Sequence, residues 1–213
     1  MIATLGLTSP ITQAVGILAA CLTICRTVPQ TYRVVRISTE GVSSATWLIT
    51  FFGNLTWFCY GVFNNVPAEW YANLPCFILA GSTFVLIHAR RNTLKRGILL
   101  ALGVIGVTAI TVIIGEASGH LVILSFVCVS AAFVMFLPQA YDATTATDLT
   151  GISITAWSLG MATATMWGVF GIMAHKPPVY APVFVQLPAC TTVVIRTVMN
   201  RRRRRTHLDA SRH

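Results

Sequence analysis

The chain has 213 residues, of which 55% are hydrophobic and only 10% charged, and its mean hydropathy is +0.72. That leaves too little polar surface for a water-soluble domain and places the chain in a bilayer. A net charge of +9 would suggest nucleic acid in a soluble protein, but the bases lie between apolar runs and in the tail, where membrane orientation accounts for them better.

In chain order, seven apolar runs meet the roughly 17–25 residues that a bilayer asks of a helix. They are 11–28, 46–64, 71–88, 97–114, 121–137, 154–173 and 179–195, with short connections between them. Their near-continuous apolar character excludes a β-barrel, whose strands alternate apolar and polar positions. The first run lacks a basic region before it and a clear small-residue cleavage site, so it is expected to be a retained span. Cys21, Cys25, Cys59, Cys76, Cys128 and Cys190 fall inside the runs without metal-ligand spacing and read as small buried hydrophobes.

One stretch is written twice. Val28-Pro29-Gln30-Thr31-Tyr32 returns as Leu137-Pro138-Gln139-Ala140-Tyr141, and Gly41-Val42-Ser43 as Gly151-Ile152-Ser153. Trp47, Trp57 and Gly61 reappear 110 positions on as Trp157, Trp167 and Gly171. Asn73-Leu74-Pro75 is answered by Gln186-Leu187-Pro188 at an offset of 113, the extra residues falling around Lys176, Pro177 and Pro178. Repetition on this scale marks two copies of one unit.

With the N-terminus outside, 14 of the 15 Lys and Arg residues fall on the inner side, Arg26 and the run Arg201 to Arg205 among them, and only Lys176 is outside. Both Pro-Gln elements then lie at cytoplasmic helix ends, so the two units run the same way through the membrane. A three-helix unit reverses the chain's side, so parallel units need an odd number of helices between them. The uncharged run 97–114 supplies that spacer. The expectation is an all-α membrane protein of seven transmembrane helices in a 3+1+3 arrangement: residues 1–91 the first repeat, 92–119 the linker helix, 120–199 the second repeat and 200–213 a basic cytoplasmic tail.

Four kinds of residue carry chemistry. Pro29 and Pro138 remove one helical hydrogen bond each and read as hinges, the alternative being that each ends its helix at the membrane surface. Trp57 and Trp167 lie mid-helix, whereas Trp ordinarily sits at the interface, which suits Trp47, Trp70 and Trp157. Asn73 and Gln186 are amides at matched positions, more than the interhelical glue that one alone would be. Asn54 lies one turn from Trp57, but its repeat partner is Ala164, so its role is supporting or none.

On these motifs the chain resembles the PQ-loop superfamily, and within it the SWEET and SemiSWEET sugar transporters. The resemblance covers nearly the whole chain: Pro29-Gln30, Pro138-Gln139, the Gly-Val-Ser and Gly-Ile-Ser after them, and the Trp-x-x-Tyr-Gly run from Trp57 to Gly61. It implies parallel repeats about an axis along the membrane normal, the architecture for which SWEETs are the standing example. It further implies a central sugar pocket lined by Trp57 with Asn73 and Trp167 with Gln186, and gates at Pro29, Gln30, Pro138 and Gln139. The chain departs from that pattern in having Gln186 for Asn, and Thr46 and Ala156 where plant-type SWEETs place two further prolines.

Glu40, Glu69, Glu116, Asp142, Asp148 and Asp209 map to loops or the tail on this reading, and the histidines to helix ends, so a coupled proton has no evident carrier. No nucleophile with its base, metal-ligand spacing or phosphate loop is present, so neither an enzyme nor a cofactor is implied. The expected function is alternating-access diffusion of a mono- or disaccharide across the plasma membrane. A cystinosin-like carrier of amino acids is the second reading. A receptor similar to the KDEL receptors is the third, and it would need charged residues in the cavity. The expected partners are the sugar and the bilayer, with anionic headgroups at the basic tail; nucleic acid is not among them, and a homo-oligomer is left open. The topology predicts that an impermeant thiol reagent labels a cysteine added at the N-terminus of intact cells. Labelling only after the cells are opened reverses the orientation.

Overall fold

The computed structural model describes residues 9–36, 43–119, 122–145 and 153–210, and helices are the only regular elements among them. In order these are α1 (Pro10–Arg36), α2 (Ser44–Phe63), α3 (Pro67–Arg90), α4 (Leu94–Ser118), α5 (Val122–Thr145), α6 (Ile154–Met173), the single turn α7 (Pro177–Tyr180) and α8 (Val183–Ala210). The chain is thus an all-helical protein of the membrane type. By length and apolar composition Pro10–Arg36, Pro67–Arg90, Leu94–Ser118 and Pro177–Arg202 are each able to cross a bilayer. Helices α2 and α6 are each 20 residues long and carry cavity-lining Thr and Trp side chains.

Local chemistry sets the ends. The Ser that closes each repeated Gly-x-Ser is an N-cap: the side chains of Ser43 and Ser153 accept from the backbone N–H of Thr46 and Ala156, both at 3.3 Å. A proline at 46 or 156 would have no N–H to donate to this cap. The Gly41-Val42 and Gly151-Ile152 pairs before these caps lie outside the described residues. At the other ends of α2 and α6 the turns match, with Asn65 and His175 both in the left-handed region at φ 52° and 53°. There the N–H groups of Val66 and Lys176 donate to the carbonyls of Gly61 and Gly171, at 2.8 and 2.9 Å.

Several predicted ends move. Helix α1 runs through Pro29 to Arg36, and α5 through position 138 to Thr145, so neither proline stops its helix. Helix α3 begins at Pro67 rather than at 71, because a proline at the first helical position loses nothing by lacking an N–H. The predicted last helix is broken at Ala181-Pro182 into α7 and α8. Glu69, Glu116, Asp142 and Asp209 therefore lie in helices, not in loops or an irregular tail; Glu40 and Asp148 lie outside the described residues. Of the cysteines only Cys76, Cys128 and Cys190 are buried, while Cys21 and Cys25 are exposed on the outer face of α1.

Helix α3 packs on α1 and α2, and α8 on α5 and α6; contacts between these two groups run through α1 with α6 and α2 with α5. Helix α4 lies against α2 and α3 and touches α5, and only Gly97, Thr108 and Gly115 of it are buried. In both groups the turn after the Trp helix folds back tightly: a Cβ at Gly61 would come within 2.6 Å of the Trp70 nitrogen, and one at Gly171 within 2.8 Å of the Tyr180 nitrogen. Gly61→Ala and Gly171→Ala are therefore expected to lower stability by about 1–3 kcal/mol each, read as a drop in the midpoint of thermal unfolding in detergent. Gly103→Ala, with nothing within 4 Å of the added carbon, should lose nothing.

Candidate functional site

The helices leave between them a cavity of about 250 Å³, and Trp57, Asn73, Trp167, Gln186 and Asn54 all line it. The two indoles are held alike. Trp57 stands edge-on to Tyr60, with centroids 5.4 Å apart at 77°, and Trp167 edge-on to Phe170, at 5.7 Å and 78°. Trp167 is also fixed across the bundle, its Nε1 donating to Thr23 Oγ1 at 2.9 Å; that hydroxyl in turn donates to the Ala19 carbonyl.

The amides differ in what they leave free. Asn73 Nδ2 donates to the Glu69 carbonyl at 2.8 Å and to Glu69 Oε2 at 2.9 Å, so both amide hydrogens are used and Oδ1 is what it offers a ligand. Asn54 Nδ2 is bound to the Thr50 carbonyl at 2.6 Å and offers an acceptor in the same way. The Gln186 side chain has no protein partner among the described residues, and on its longer arm it presents donor and acceptor together.

Two charged residues expected elsewhere also line this cavity. Glu69 lies in the first turn of α3 and is buried, at 4% exposure. Arg26, counted by sequence among the bases of the inner surface, is held inside the bundle. Its guanidinium lies over the Phe136 ring at 5.5 Å, and a Cβ at Gly160 would sit 3.6 Å from its Nη1. The expectation that every acidic side chain lies in a loop or the tail, and with it the argument that a proton has no carrier, is overturned by Glu69. Both residues lacked a hydropathy signal, but Pro67 marked the earlier start of α3, and the Glu69–Asn73 spacing of four is a helical contact.

The gate residues are less fully described. Pro29 is exposed and lies outside the cavity lining. The side chains of Gln30, Pro138 and Gln139 fall outside the described residues. Among the described residues no group of three His, Cys, Asp or Glu side chains could hold a metal ion.

The family model of the PQ loop repeat matches residues 11–70, which carry α1, α2 and the first turn of α3, Pro29, Gln30, Asn54, Trp57 and Glu69 included. No curated protein matches the chain. The match supports the PQ-loop superfamily and, with the apolar helices, a transporter-like multi-pass membrane protein rather than an enzyme.

Removing the Asn73 amide strands the Glu69 carboxylate in the bundle. Asn73→Ala should cost about 1–3 kcal/mol, the range for leaving a buried polar group without its partner, and less when made in a Glu69→Ala background. Equal losses of thermal stability in the two backgrounds would show that this contact contributes nothing.

Proposed function

We propose that the chain is a SWEET-like facilitator that moves a small polar solute, in the first instance a mono- or disaccharide, through the central cavity by alternating access. One observation carries the reading: two indoles and two amides from matched positions of an internal repeat converge on a single cavity. Flat indole faces suit a sugar ring, and Asn73, Asn54 and Gln186 offer acceptors and a donor to its hydroxyls. A facilitator must release what it binds, and a Kd near 1 mM corresponds to only about 4 kcal/mol, so few contacts suffice.

The packing of α3 on α1 and α2, and of α8 on α5 and α6, supports two repeat units rocking against each other, with α4 as the spacer of a 3+1+3 arrangement. The N-terminus is outside and the basic tail cytoplasmic in this reading, in the plasma membrane. Movement is uncoupled, with Glu69 held by Asn73 as part of the wall. Pro29, inside a continuous helix, and Pro138 are the hinges of the inner gate.

The second reading, a carrier of amino acids, gains from the presence of Arg26 and Glu69 in the same cavity. The receptor reading gains from them as well, but a cavity of about 250 Å³ suits a small solute better than a peptide tail. Solute counterflow in proteoliposomes with a panel of sugars and amino acids tests all three. Trp57→Ala and Trp167→Ala should each reduce flux at least tenfold while the protein still inserts, and Pro29→Ala should slow flux with binding unchanged. An imposed proton gradient should leave the wild-type rate unchanged. Accumulation that an uncoupler collapses would end the uniport reading, and normal flux in both Trp variants would move the site elsewhere.

A further inference from the structure

We infer that the transported solute carries a carboxylate, and that Arg26 is the residue that reads it. The inference deepens the transporter reading above and rests on it.

The physical ground is an uncompensated charge. Arg26 lines the cavity and is half-buried there. Its head lies on the face of Phe136, and among the described residues it forms no ion pair and no hydrogen bond. A cation over an aromatic ring engages the π face, which leaves the five N–H donors of the guanidinium unused. A charge inside a membrane bundle ordinarily pairs or marks a substrate path. Gly160 lies beside this head: a Cβ there would be in ordinary contact with the guanidinium, at 3.6 Å, and tight against Cys190 Sγ, at 3.3 Å.

Glu69 does not neutralise it. The Arg26 head lies at the level of Cys190, one turn past Gln186 on α8, and the neighbouring Thr27 contacts Cys76, one turn past Asn73 on α3. Glu69 is one turn before Asn73. Two helical turns, about 10 Å, therefore separate the two charges along the cavity, with the indoles and amides between them. The arrangement is a layered site: carboxylate, polar and aromatic middle, guanidinium.

The repeat shows that this polarity is an addition to the shared framework. Aligned on Pro29 and Pro138, Arg26 falls opposite Met135; aligned on Asn73 and Gln186, Glu69 falls opposite Pro182. Met135 and Pro182 line the same cavity. Among the described lining residues only the first repeat contributes charge, whereas a neutral sugar would need none. A planar carboxylate matches the guanidinium fork, and the rest of the molecule lies between Trp57 and Trp167. A sugar acid and an amino acid both present this chemistry.

Two pairs of probes that differ only at the acid group separate them: D-glucuronate with D-glucose, and L-alanine with L-alaninamide. Binding to the purified chain in detergent is read by ligand-induced thermal stabilisation, and transport by counterflow. In at least one pair the carboxylate should bind about tenfold or more tightly than its neutral or amide partner. Arg26→Gln should abolish that preference and Arg26→Lys retain part of it. If Arg26→Gln fails to fold, the wild-type pairs still decide. Glucose binding as well as glucuronate, or a preference that survives Arg26→Gln, overturns the inference and leaves a sugar facilitator standing. Alanine binding without either sugar supports the inference and overturns the sugar reading. Binding of none of the four overturns both.

Discussion

Polar groups inside an apolar bundle must find partners within the protein, because lipid offers none. The chain meets this constraint first by local means. Hydroxyls of Thr23, Thr56, Thr83, Thr108, Thr163 and Thr197 all donate to carbonyls three or four residues back on their own helices. Threonine can therefore sit almost anywhere in these helices at little cost. Groups with more hydrogen-bonding capacity cannot be absorbed in this way. The Gln186 amide, the Asn73–Glu69 pair and the Arg26 guanidinium all line the central cavity. The cavity follows from the same rule that makes the rest of the interior apolar.

Repetition in the sequence becomes repetition of contacts. Ser43 and Ser153 cap the two Trp-bearing helices, Tyr60 and Phe170 brace the two indoles, and Gly61 and Gly171 admit the two returning chains. These contacts belong to the scaffold, and they are nearly equal in the two halves. Contacts to the cavity contents are unequal: Arg26 faces Met135 in the repeat alignment, Glu69 faces Pro182, and Gln186 is longer than Asn73.

The helical stretches and the convergence of the indole and amide residues on one cavity were legible because each rests on a pattern in the chain: run length for the helices, matched spacing for Trp57 with Trp167 and for Asn73 with Gln186. The charged lining was not, for two physical reasons. A hydropathy run ends where a charge appears, so α3 was begun after Glu69, although the backbone at Pro67 was already helical. Counting bases by side treats every Arg near a helix end as surface, yet α1 continues to Arg36, which leaves Arg26 ten residues inside its end. The break at Ala181-Pro182 was likewise hidden, since an apolar run does not reveal whether a proline kinks a helix or divides it.

Arg26 and Glu69 lie on α1 and α3, which pack directly on each other. In the rocking motion proposed here these two helices move as one body, so the separation of about two helical turns between the charges is preserved in every state. Trp167 and Gln186 belong to the other group and move relative to them, loosening the hydrogen bond from Trp167 to Thr23 that now ties α6 to α1. Recognition of a charged group would then be constant through the cycle, and the fit around the ring or side chain would vary with it. A solute held at one end by a fixed fork and along its body by a movable indole can be released without ever being left in the bundle as an unpaired charge.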